Sequence, residues 1–347
     1  MNVTSLFAST EAALITSPSN LFYLSGVANS DAYILVKGET AFYITDSRYE
    51  IEARSLAPDF RPIILGSSAQ IDFIRDALES VRSIGIEKEH LSLARFDKLF
   101  GSFGSEFLPI DGMIRGARRI KSPSELKTIA EAEAIVDTAF RRVLDFIKPG
   151  VTEKQVSDRL LFEMLSEGAS GVAFDTIVAF GENAAKPHAV PSDRALWRGD
   201  AIVMDFGAKK GGYCSDFTRT LFCGKPDRKF ESAYDVVLRA QLAALDYIAS
   251  GGRSAFEADR IARSLIDGSP FKGKFTHSLG HGVGVEIHED PYLSARSEDI
   301  LVDGEVFTVE PGVYLEGEFG IRIESLAAIE NGKLTVFDRS DKEIILV

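Results

Sequence analysis

Histidine residues are concentrated in one part of this chain. Four of the five histidines lie between residues 188 and 288, and His277, His281 and His288 stand close together in the segment FTHSLGHGVGVEIHE, residues 275–289. Imidazole binds metal ions and exchanges protons near neutral pH. Glycines on both sides of His281 would let a metal ion or a substrate approach, because glycine has no Cβ. A lone histidine is usually structural, but this clustering predicts a metal-binding or catalytic segment.

Carboxylates also occur where buried strands are expected. Four acidic residues stand in largely apolar, strand-like stretches: Asp205, Asp216, Glu310 and Glu324. A buried, unpaired carboxylate costs several kcal/mol or takes up a proton. Any one of the four could instead mark a strand end or pair with Arg219 or Arg322. Four carboxylates and one neutral imidazole, however, balance two divalent cations, and such a ligand set is typical of a two-metal hydrolytic site.

The second part of the chain carries the elements that must position these groups. The segment SPSE at 122–125 supplies an N-cap, a proline and a glutamate in the order that begins a helix, and KPG at 148–150 ends it. Capping patterns at Thr152 and Ser254 predict helices over 153–167 and 255–266, and residues 230–248 form another amphipathic segment. Apolar and β-branched runs predict strands at 201–204, 213–222, 306–309 and 321–329.

The first 115 or so residues have a different character. Short apolar runs at 12–15, 33–36, 41–44 and 62–65 alternate with helical patterns at 71–81 and 91–100, which is typical of α/β structure. The segment KGET at 37–40 predicts a hairpin and a partly antiparallel sheet. Only His90 falls here, without an acidic cluster, so we expect this part to be non-catalytic. The turn pair Asp111-Gly112 and the basic residues up to Lys121 predict a domain boundary.

Bulk composition narrows the partners and the location. The chain has 347 residues, of which 45% are apolar, and a formal net charge of −13, which argues against a surface for nucleic acid or anionic membranes. No apolar run approaches the roughly 18 residues of a membrane span, and residues 1–20 lack the pattern of a secretion signal. Cys214 and Cys223 are too few for a disulfide framework. We therefore expect a cytoplasmic protein.

Several motifs together resemble one known family. The ordered set Asp205, Asp216, His281, Glu310 and Glu324, with GHGVG at 280–284, TVEPG at 308–312 and RIE at 322–324, resembles the aminopeptidase P and prolidase branch of the pita-bread metallopeptidases. NLFYLSG at 20–26 and DSRY at 46–49 are similar to the smaller domain of that branch. The resemblance implies an α/β (α+β) fold, with a creatinase-like N-terminal domain over 1–118 and a pita-bread catalytic domain over 119–347.

The resemblance also implies roles for individual residues. Asp205, Asp216, His281, Glu310 and Glu324 would bind two divalent metal ions, with manganese favoured and cobalt, zinc or iron as alternatives. Glu310 would in addition act as general base and then acid. His188 and His288 would polarise the carbonyl and stabilise the oxyanion, and His277 would line the same cleft. From their proximity to these ligands in the sequence, and not from the resemblance, Thr218 and Thr308 could orient the carboxylates and Arg322 could neutralise charge. A β-branched threonine in a strand needs no functional reason, so both threonines could equally be structural.

The expected activity is hydrolysis of the bond before proline at the N-terminus of small peptides, by a homodimer. Dipeptide-cutting relatives often carry an arginine four residues after the last clustered histidine, suited to a substrate carboxylate. Tyr292 occupies that position here, and Arg296 lies in a different register. The sequence therefore favours an Xaa-Pro aminopeptidase, with an Xaa-Pro dipeptidase as the alternative. A peptidase without proline specificity and a non-catalytic peptide-binding member of the fold stay open.

Overall fold

The computed structural model describes residues 3–56, 58–101 and 103–347, so that Met1, Asn2, Ala57 and Ser102 lie outside the description. The chain divides into two units, Met1–Arg118 and Arg119–Val347. Within the described ranges, no helix has both the length and the apolar character that crossing a membrane requires.

The first unit is built on a six-stranded mixed sheet with the strand order β4-β3-β2-β1-β5-β6. Its strands are β1 (Ala12–Ile15), β2 (Tyr33–Lys37), β3 (Thr40–Thr45), β4 (Arg61–Ile64), β5 (Ser83–Ile86) and β6 (Glu106–Pro109). Its helices are α1 (Val3–Leu6), α2 (Pro18–Ser25), α3 (Glu50–Ser55), α4 (Ser67–Leu78), α5 (Leu93–Phe100) and α6 (Asp111–Arg119), with a 3-10 turn at Ser47–Tyr49. The predicted α/β pattern is thereby confirmed.

The structure confirms the hairpin between β2 and β3 and corrects the boundary segment. Lys37 pairs with Thr40 across a two-residue turn that begins with Gly38 at φ 57°. The expected turn at Asp111-Gly112 is instead the start of α6. Ile114 and Arg118, four residues apart, are buried on one face of this helix, and the Asp111 carboxylate accepts hydrogen bonds from the backbone of Lys88 and Glu89. This amphipathic spacing outweighs the low helix propensity of the glycines.

The four main helices of the second unit begin at capped residues. They are α7 (Pro123–Val143), α8 (Glu153–Ser166), α9 (Arg228–Ala249) and α10 (Ala255–Asp267). Ser122 with Glu125 and Thr152 with Gln155 form complete capping boxes at α7 and α8. Asp227 and Ser254 accept the N-cap hydrogen bonds of α9 and α10. Each cap satisfies backbone N–H groups that the helix cannot pair, which is worth about 1 kcal/mol.

Four sheets complete the second unit. Its strands are β7 (Gly171–Val172), β8 (Ile177–Phe180), β9 (Ala201–Phe206), β10 (Ala208–Lys210), β11 (Tyr213–Cys214), β12 (Phe217–Phe222), β13 (Gly280–Gly282), β14 (Glu289–Leu293), β15 (Val306–Val309), β16 (Gly312–Leu315), β17 (Phe319–Arg322), β18 (Ser325–Glu330), β19 (Lys333–Val336) and β20 (Ile345–Leu346). The strand orders are β11-β10-β7, β20-β12-β9-β8, β14-β13-β15-β18-β19 and β16-β17. A 3-10 turn, Gly181–Ala185, follows β8.

Helices α7 and α8 cover one face of the sheet that contains β9, and α9 and α10 cover one face of the sheet that contains β15. Met204 and Phe206 of β9 pack in a core with α7 and α8, whereas Phe307 and Val309 of β15 pack in a core with α9 and α10. Side chains alternate along a strand. Asp205 and Thr308, which lie between those core residues, therefore point to the opposite faces of their sheets, away from those two cores.

Candidate functional site

All eight residues predicted to bind metal or take part in catalysis line one cavity of about 470 Å³ in the second unit. The five predicted metal ligands come from four separate parts of the sequence, and His188, His277 and His288 join them in the cavity wall. The ligand atoms of Asp216, His281 and Glu324 all lie within 4.8 Å of one another. The fold therefore brings together residues that are up to 136 positions apart in the chain, from His188 to Glu324.

Two of the carboxylates occupy breaks between strands rather than the continuous strands that the sequence predicts. Asp216 lies between β11 and β12, and Glu324 lies between β17 and β18. The Glu324 backbone N–H donates to the Thr218 carbonyl at 3.1 Å, so the second break is held against β12. A residue outside the ladder can turn its carboxylate toward the cavity while its neighbours stay buried. Because Asp216 and Glu324 lie outside the strands, their carboxylates can be accommodated in these otherwise apolar stretches.

Asp205 and His281 lie within strands, and cross-strand pairing fixes their surroundings. Asp205 pairs directly with Thr218 across β9 and β12, and His281 pairs with Tyr292 across β13 and β14. Directly opposed residues project from the same face of a sheet. Thr218 therefore stands beside Asp205, and Tyr292 stands beside His281 in the cavity wall.

The glycines that flank His281 make room for neighbouring backbone, and not for a metal ion or a substrate as the sequence suggested. A Cβ on Gly280 would lie 2.0 Å from the carbonyl oxygen of Thr308, and a Cβ on Gly282 would lie 2.2 Å from that of Asp290. These glycines let neighbouring backbone approach β13 closely, and no side chain fits in either place. They position His281 by packing and do not open a path for a ligand.

The His281 ring presents a lone pair to carboxylate oxygens. Its Nδ1 lies 3.0 Å from the Gly282 carbonyl oxygen, which only accepts hydrogen bonds, so Nδ1 carries the proton. Its Nε2 then faces Asp216 Oδ2 at 3.5 Å and Glu310 Oε1 at 3.4 Å. Burial lowers the pKa of His281 to about 4, and the neighbouring His288 contributes to the shift. A neutral imidazole lone pair that converges with two carboxylate oxygens in a buried wall is suited to a bound cation.

The electrostatics of the carboxylates lead to the same conclusion. Burial raises the pKa of Asp216 and of Glu324 well above their usual range, and the neighbouring carboxylates add to both shifts. Burial likewise raises the pKa of Glu310 to about 8, partly opposed by Arg322. Asp205 Oδ1 is buried and has no hydrogen-bond partner among the described residues. Like charges packed this closely stay ionised only when cations neutralise them, so the donor set fits divalent metal.

Arg322 neutralises part of the charge and organises one wall. Its guanidinium pairs with Asp205 and donates to the Tyr314 hydroxyl at 2.7 Å. That hydroxyl lies 2.8 Å from His277 Nε2, and His277 Nδ1 lies 2.8 Å from the Ser278 carbonyl oxygen. Burial lowers the pKa of His277 to about 4, so its neutral ring donates from Nδ1 and accepts at Nε2.

Two threonines hold carboxylates in place, which confirms the prediction for both. The Thr218 hydroxyl donates to Glu324 Oε2 at 2.6 Å. The Thr308 hydroxyl lies 3.2 Å from Glu310 Oε1 and accepts from the His281 backbone N–H at 3.1 Å. These hydrogen bonds fix the orientation of each carboxylate, which keeps further lone pairs for a metal or a proton.

Sequence reasoning missed several residues that line the cavity or support its wall. Tyr314 connects Arg322 to His277, and its only sequence signal is its position three residues after Pro311 in the loop that carries Glu310. Phe174, Ile177 and Ile287 provide an apolar part of the wall. Ordinary core and loop residues look the same in sequence, so no local pattern distinguishes these three. Arg296 is exposed and does not contribute to the described wall.

Comparison with known proteins gives the family. Residues 127–331 match the metallopeptidase family M24, and residues 8–120 match the creatinase/prolidase N-terminal domain. The Xaa-Pro dipeptidase of Pyrococcus horikoshii is 37% identical over 340 residues, which cover 97% of this chain and 95% of that protein.

Solved structures agree with the sequence relatives. The Xaa-Pro dipeptidase from Bacillus anthracis superposes with a TM-score of 0.94 at 35% identity, covering 100% of this chain and 98% of the other. The X-Pro aminopeptidase from Thermotoga maritima superposes with a TM-score of 0.91 at 36% identity, covering 99% and 100%. The chain therefore belongs to the metallopeptidase family M24, as an enzyme whose α/β fold joins a creatinase/prolidase N-terminal domain to the peptidase domain.

Proposed function

We propose that this enzyme hydrolyses the bond before proline in Xaa-Pro dipeptides, with two divalent metal ions at the site. The observation that carries the proposal is the orientation of His281, whose Nδ1 donates to Gly282 while Nε2 faces the oxygens of Asp216 and Glu310. An imidazole lone pair and two carboxylate oxygens that converge in a buried wall are suited to bind a divalent ion.

The metal ions would be held by Asp205, Asp216, His281, Glu310 and Glu324. When bound, divalent ions in such a set supply a water that is nucleophilic at neutral pH and polarise the scissile carbonyl. Manganese suits this oxygen-rich set with one imidazole, and cobalt, zinc and iron are the alternatives. Metal analysis of the purified protein, followed by reconstitution of stripped protein with each ion in turn, tests the choice of manganese.

The chain's own residues handle protons and the substrate. Glu310, whose Oε1 faces both His281 and Thr308, would take the proton of the attacking water and deliver it to the leaving nitrogen of proline. His188 and His288 line the more exposed part of the wall and would donate hydrogen bonds to the carbonyl oxygen as its negative charge grows. His277, with both ring nitrogens bonded to protein atoms, would keep that wall in place.

The length of the substrate is the main open choice. The sequence alone favours an aminopeptidase, but the names of the Pyrococcus horikoshii and Bacillus anthracis relatives support the dipeptidase alternative better. The aminopeptidase stays as the second candidate because of one observation. Among the described residues that line the cavity, Arg322 is the sole Lys or Arg, and it already pairs with Asp205. A dipeptide carboxylate would meet Tyr292 there.

We also propose the organisation in which the activity is exercised. Residues 119–347 would form the catalytic domain, and residues 1–118 would be non-catalytic and assist a homodimer, as the family resemblance implies. Cys214 and Cys223 are buried thiols that form no disulfide with each other, which suits a reducing cytoplasm. Sedimentation of the purified protein tests the dimer, and fractionation of cells tests the location.

The experiment is hydrolysis of a matched set of peptides by metal-stripped protein, with and without added manganese. The set is an Xaa-Pro dipeptide, the corresponding Xaa-Pro amide and an Xaa-Pro-Xaa tripeptide. We expect metal-dependent cleavage with the dipeptide as the best substrate.

Each other result has a definite meaning. Cleavage of the tripeptide alone would replace the dipeptidase with an aminopeptidase. Equal cleavage of a matched Xaa-Ala dipeptide would remove the proline specificity. Metal-independent cleavage, or none, would overturn the proposed site chemistry.

A further inference from the structure

A buried glutamate outside the cavity is bonded to both ends of the loop that carries His188. Glu153, the first residue of α8, is 0% exposed. Its Oε1 accepts from the Phe180 backbone N–H at 2.8 Å and from Asn183 Nδ2 at 3.0 Å. Its Oε2 accepts from the Ser192 backbone N–H at 2.9 Å and from the Ser192 hydroxyl. One carboxylate therefore joins segments that enter and leave residues 181–191.

That loop forms part of the cavity wall. Pro187, His188, Ala189 and Val190 all line the cavity, whereas Glu153 does not. His188 is exposed, so packing around its own ring does little to fix it. On the cavity side the loop is held where Arg322 donates to the Pro187 carbonyl at 3.3 Å. The anchors at its two ends are the bonds to Glu153.

The first turn of α8 strengthens the anchor. The backbone N–H groups of Glu153 and Lys154 donate to the carbonyls of Arg194 and Ser192, both at 3.1 Å. The helix N-terminus also favours the negative charge of Glu153. Because all four groups that contact the carboxylate are donors, an ionised carboxylate satisfies them and an amide would not.

We propose that Glu153 is a positioning residue that holds His188 against the reacting carbonyl. The inference deepens the proposed function and rests on the role given there to His188. The hydrogen bonds of Glu153 hold together the two ends of the loop between Phe180 and Ser192, and these bonds fix the position of the His188 imidazole. Loss of these hydrogen bonds would displace His188 and lower kcat, with little change in KM or in metal content.

The test is a double-mutant cycle with the metal-loaded, full-length enzyme. The variants are Glu153→Gln, His188→Ala and the double variant. Glu163→Gln is the matched control, because Glu163 is also a buried carboxylate of α8 but pairs with Arg142 and Arg159. We expect His188→Ala to lower kcat about 100-fold, as for loss of an oxyanion donor. Glu153→Gln should lower it about 10-fold, since small displacements of catalytic groups are costly.

Non-additivity is the deciding result. In the His188→Ala background, Glu153→Gln should change kcat by less than about twofold, because the group that it positions is gone. Hydrogen exchange should rise at the amides of 181–192 in Glu153→Gln and stay unchanged in Glu163→Gln. Metal content should match the wild type in all variants.

Three outcomes would overturn the inference, and they separate it from the proposed function. A full tenfold loss repeated in the His188→Ala background would mean that Glu153 acts without His188, while the proposed function stands. Unchanged kcat in Glu153→Gln would mean that the hydrogen bonds of the Glu153 carboxylate are not needed to position His188. Wild-type kcat in His188→Ala would remove the proposed role of His188 and the inference together.

Discussion

Thr218 offers a sharp test of how the carboxylates are held for metal binding. Its buried hydroxyl donates to Glu324 Oε2 at 2.6 Å and lies 3.2 Å from Arg322 Nε. Replacement by valine preserves the shape and the β-branched preference for a strand. It removes only the hydroxyl, so that Glu324 loses its donor and Arg322 loses an acceptor.

The size of the effect follows from this geometry. A hydrogen bond to an ionised group contributes about 1.5–3 kcal/mol, and a buried partner left unsatisfied adds a desolvation cost. A loss of about 2 kcal/mol in metal binding corresponds to roughly 30-fold weaker affinity. Thr218→Ser retains the hydroxyl and should stay within about threefold of the wild type.

Thr220 provides a matched control on the same strand. It lies two residues further along β12, on the same face, and its hydroxyl bonds the backbone of Arg322 at 2.9 and 3.0 Å. Thr220→Val should lower the free energy of unfolding by about 1 kcal/mol and leave metal affinity unchanged. Its hydroxyl contacts no carboxylate in the described structure.

Titration of metal-stripped protein with manganese by calorimetry measures the affinities, and thermal unfolding measures stability. If Thr218→Val binds manganese as tightly as Thr218→Ser, the Thr218 hydroxyl does not hold Glu324 for metal binding. If Thr220→Val weakens manganese binding as much as Thr218→Val, the effect reflects strand stability and not the bond to Glu324.

Three further predictions concern catalysis, pH and substrate choice. Glu310→Gln should keep the fold by circular dichroism and lower kcat by about 10²- to 10⁴-fold; wild-type turnover would contradict its role. The folded-state pKa of His277, about 4, lies below its ordinary 6.5, so the unfolded chain binds the proton first as pH falls. Denaturant titrations should show stability lost between pH 6.5 and 4, by up to about 3 kcal/mol, and less lost in His277→Gln. Tyr292→Arg should raise kcat/KM for an Xaa-Pro dipeptide about tenfold relative to the Xaa-Pro amide, by supplying a guanidinium for the carboxylate; an unchanged ratio would count against it.

Local signals in the sequence determined the helices and the kinds of site residue. The capping residues at Ser122, Thr152 and Ser254 predicted three helix starts correctly, because an N-cap acts through bonds within one turn. The four acidic residues stood out because carboxylates in apolar stretches need an explanation that involves charge, and His281 stood out because histidines cluster around it. The sequence therefore predicts those features that depend on residue type or on contacts within a few residues.

The sequence did not predict the positions at which the chain leaves a strand. The runs 213–222 and 321–329 look continuous because their composition suits a strand throughout, yet each breaks where its carboxylate enters the cavity. The break at Glu324 depends on Thr218, more than a hundred positions away, which accepts its backbone N–H. Such a contact forms only when β12 and the second strand pair meet.

Tertiary structure also decided which ordinary residues serve the site. Gly280 is indispensable because the Thr308 backbone passes beside it, and Tyr314 matters because it lies between Arg322 and His277. Glu153 appears in the sequence as a helix-start acid, and its bonds to Phe180 and Ser192 arise from the path of a distant loop. The sequence by itself determined which groups are candidates to bind metal; three-dimensional packing alone decided what holds them, since those bonds join residues that no local pattern connects.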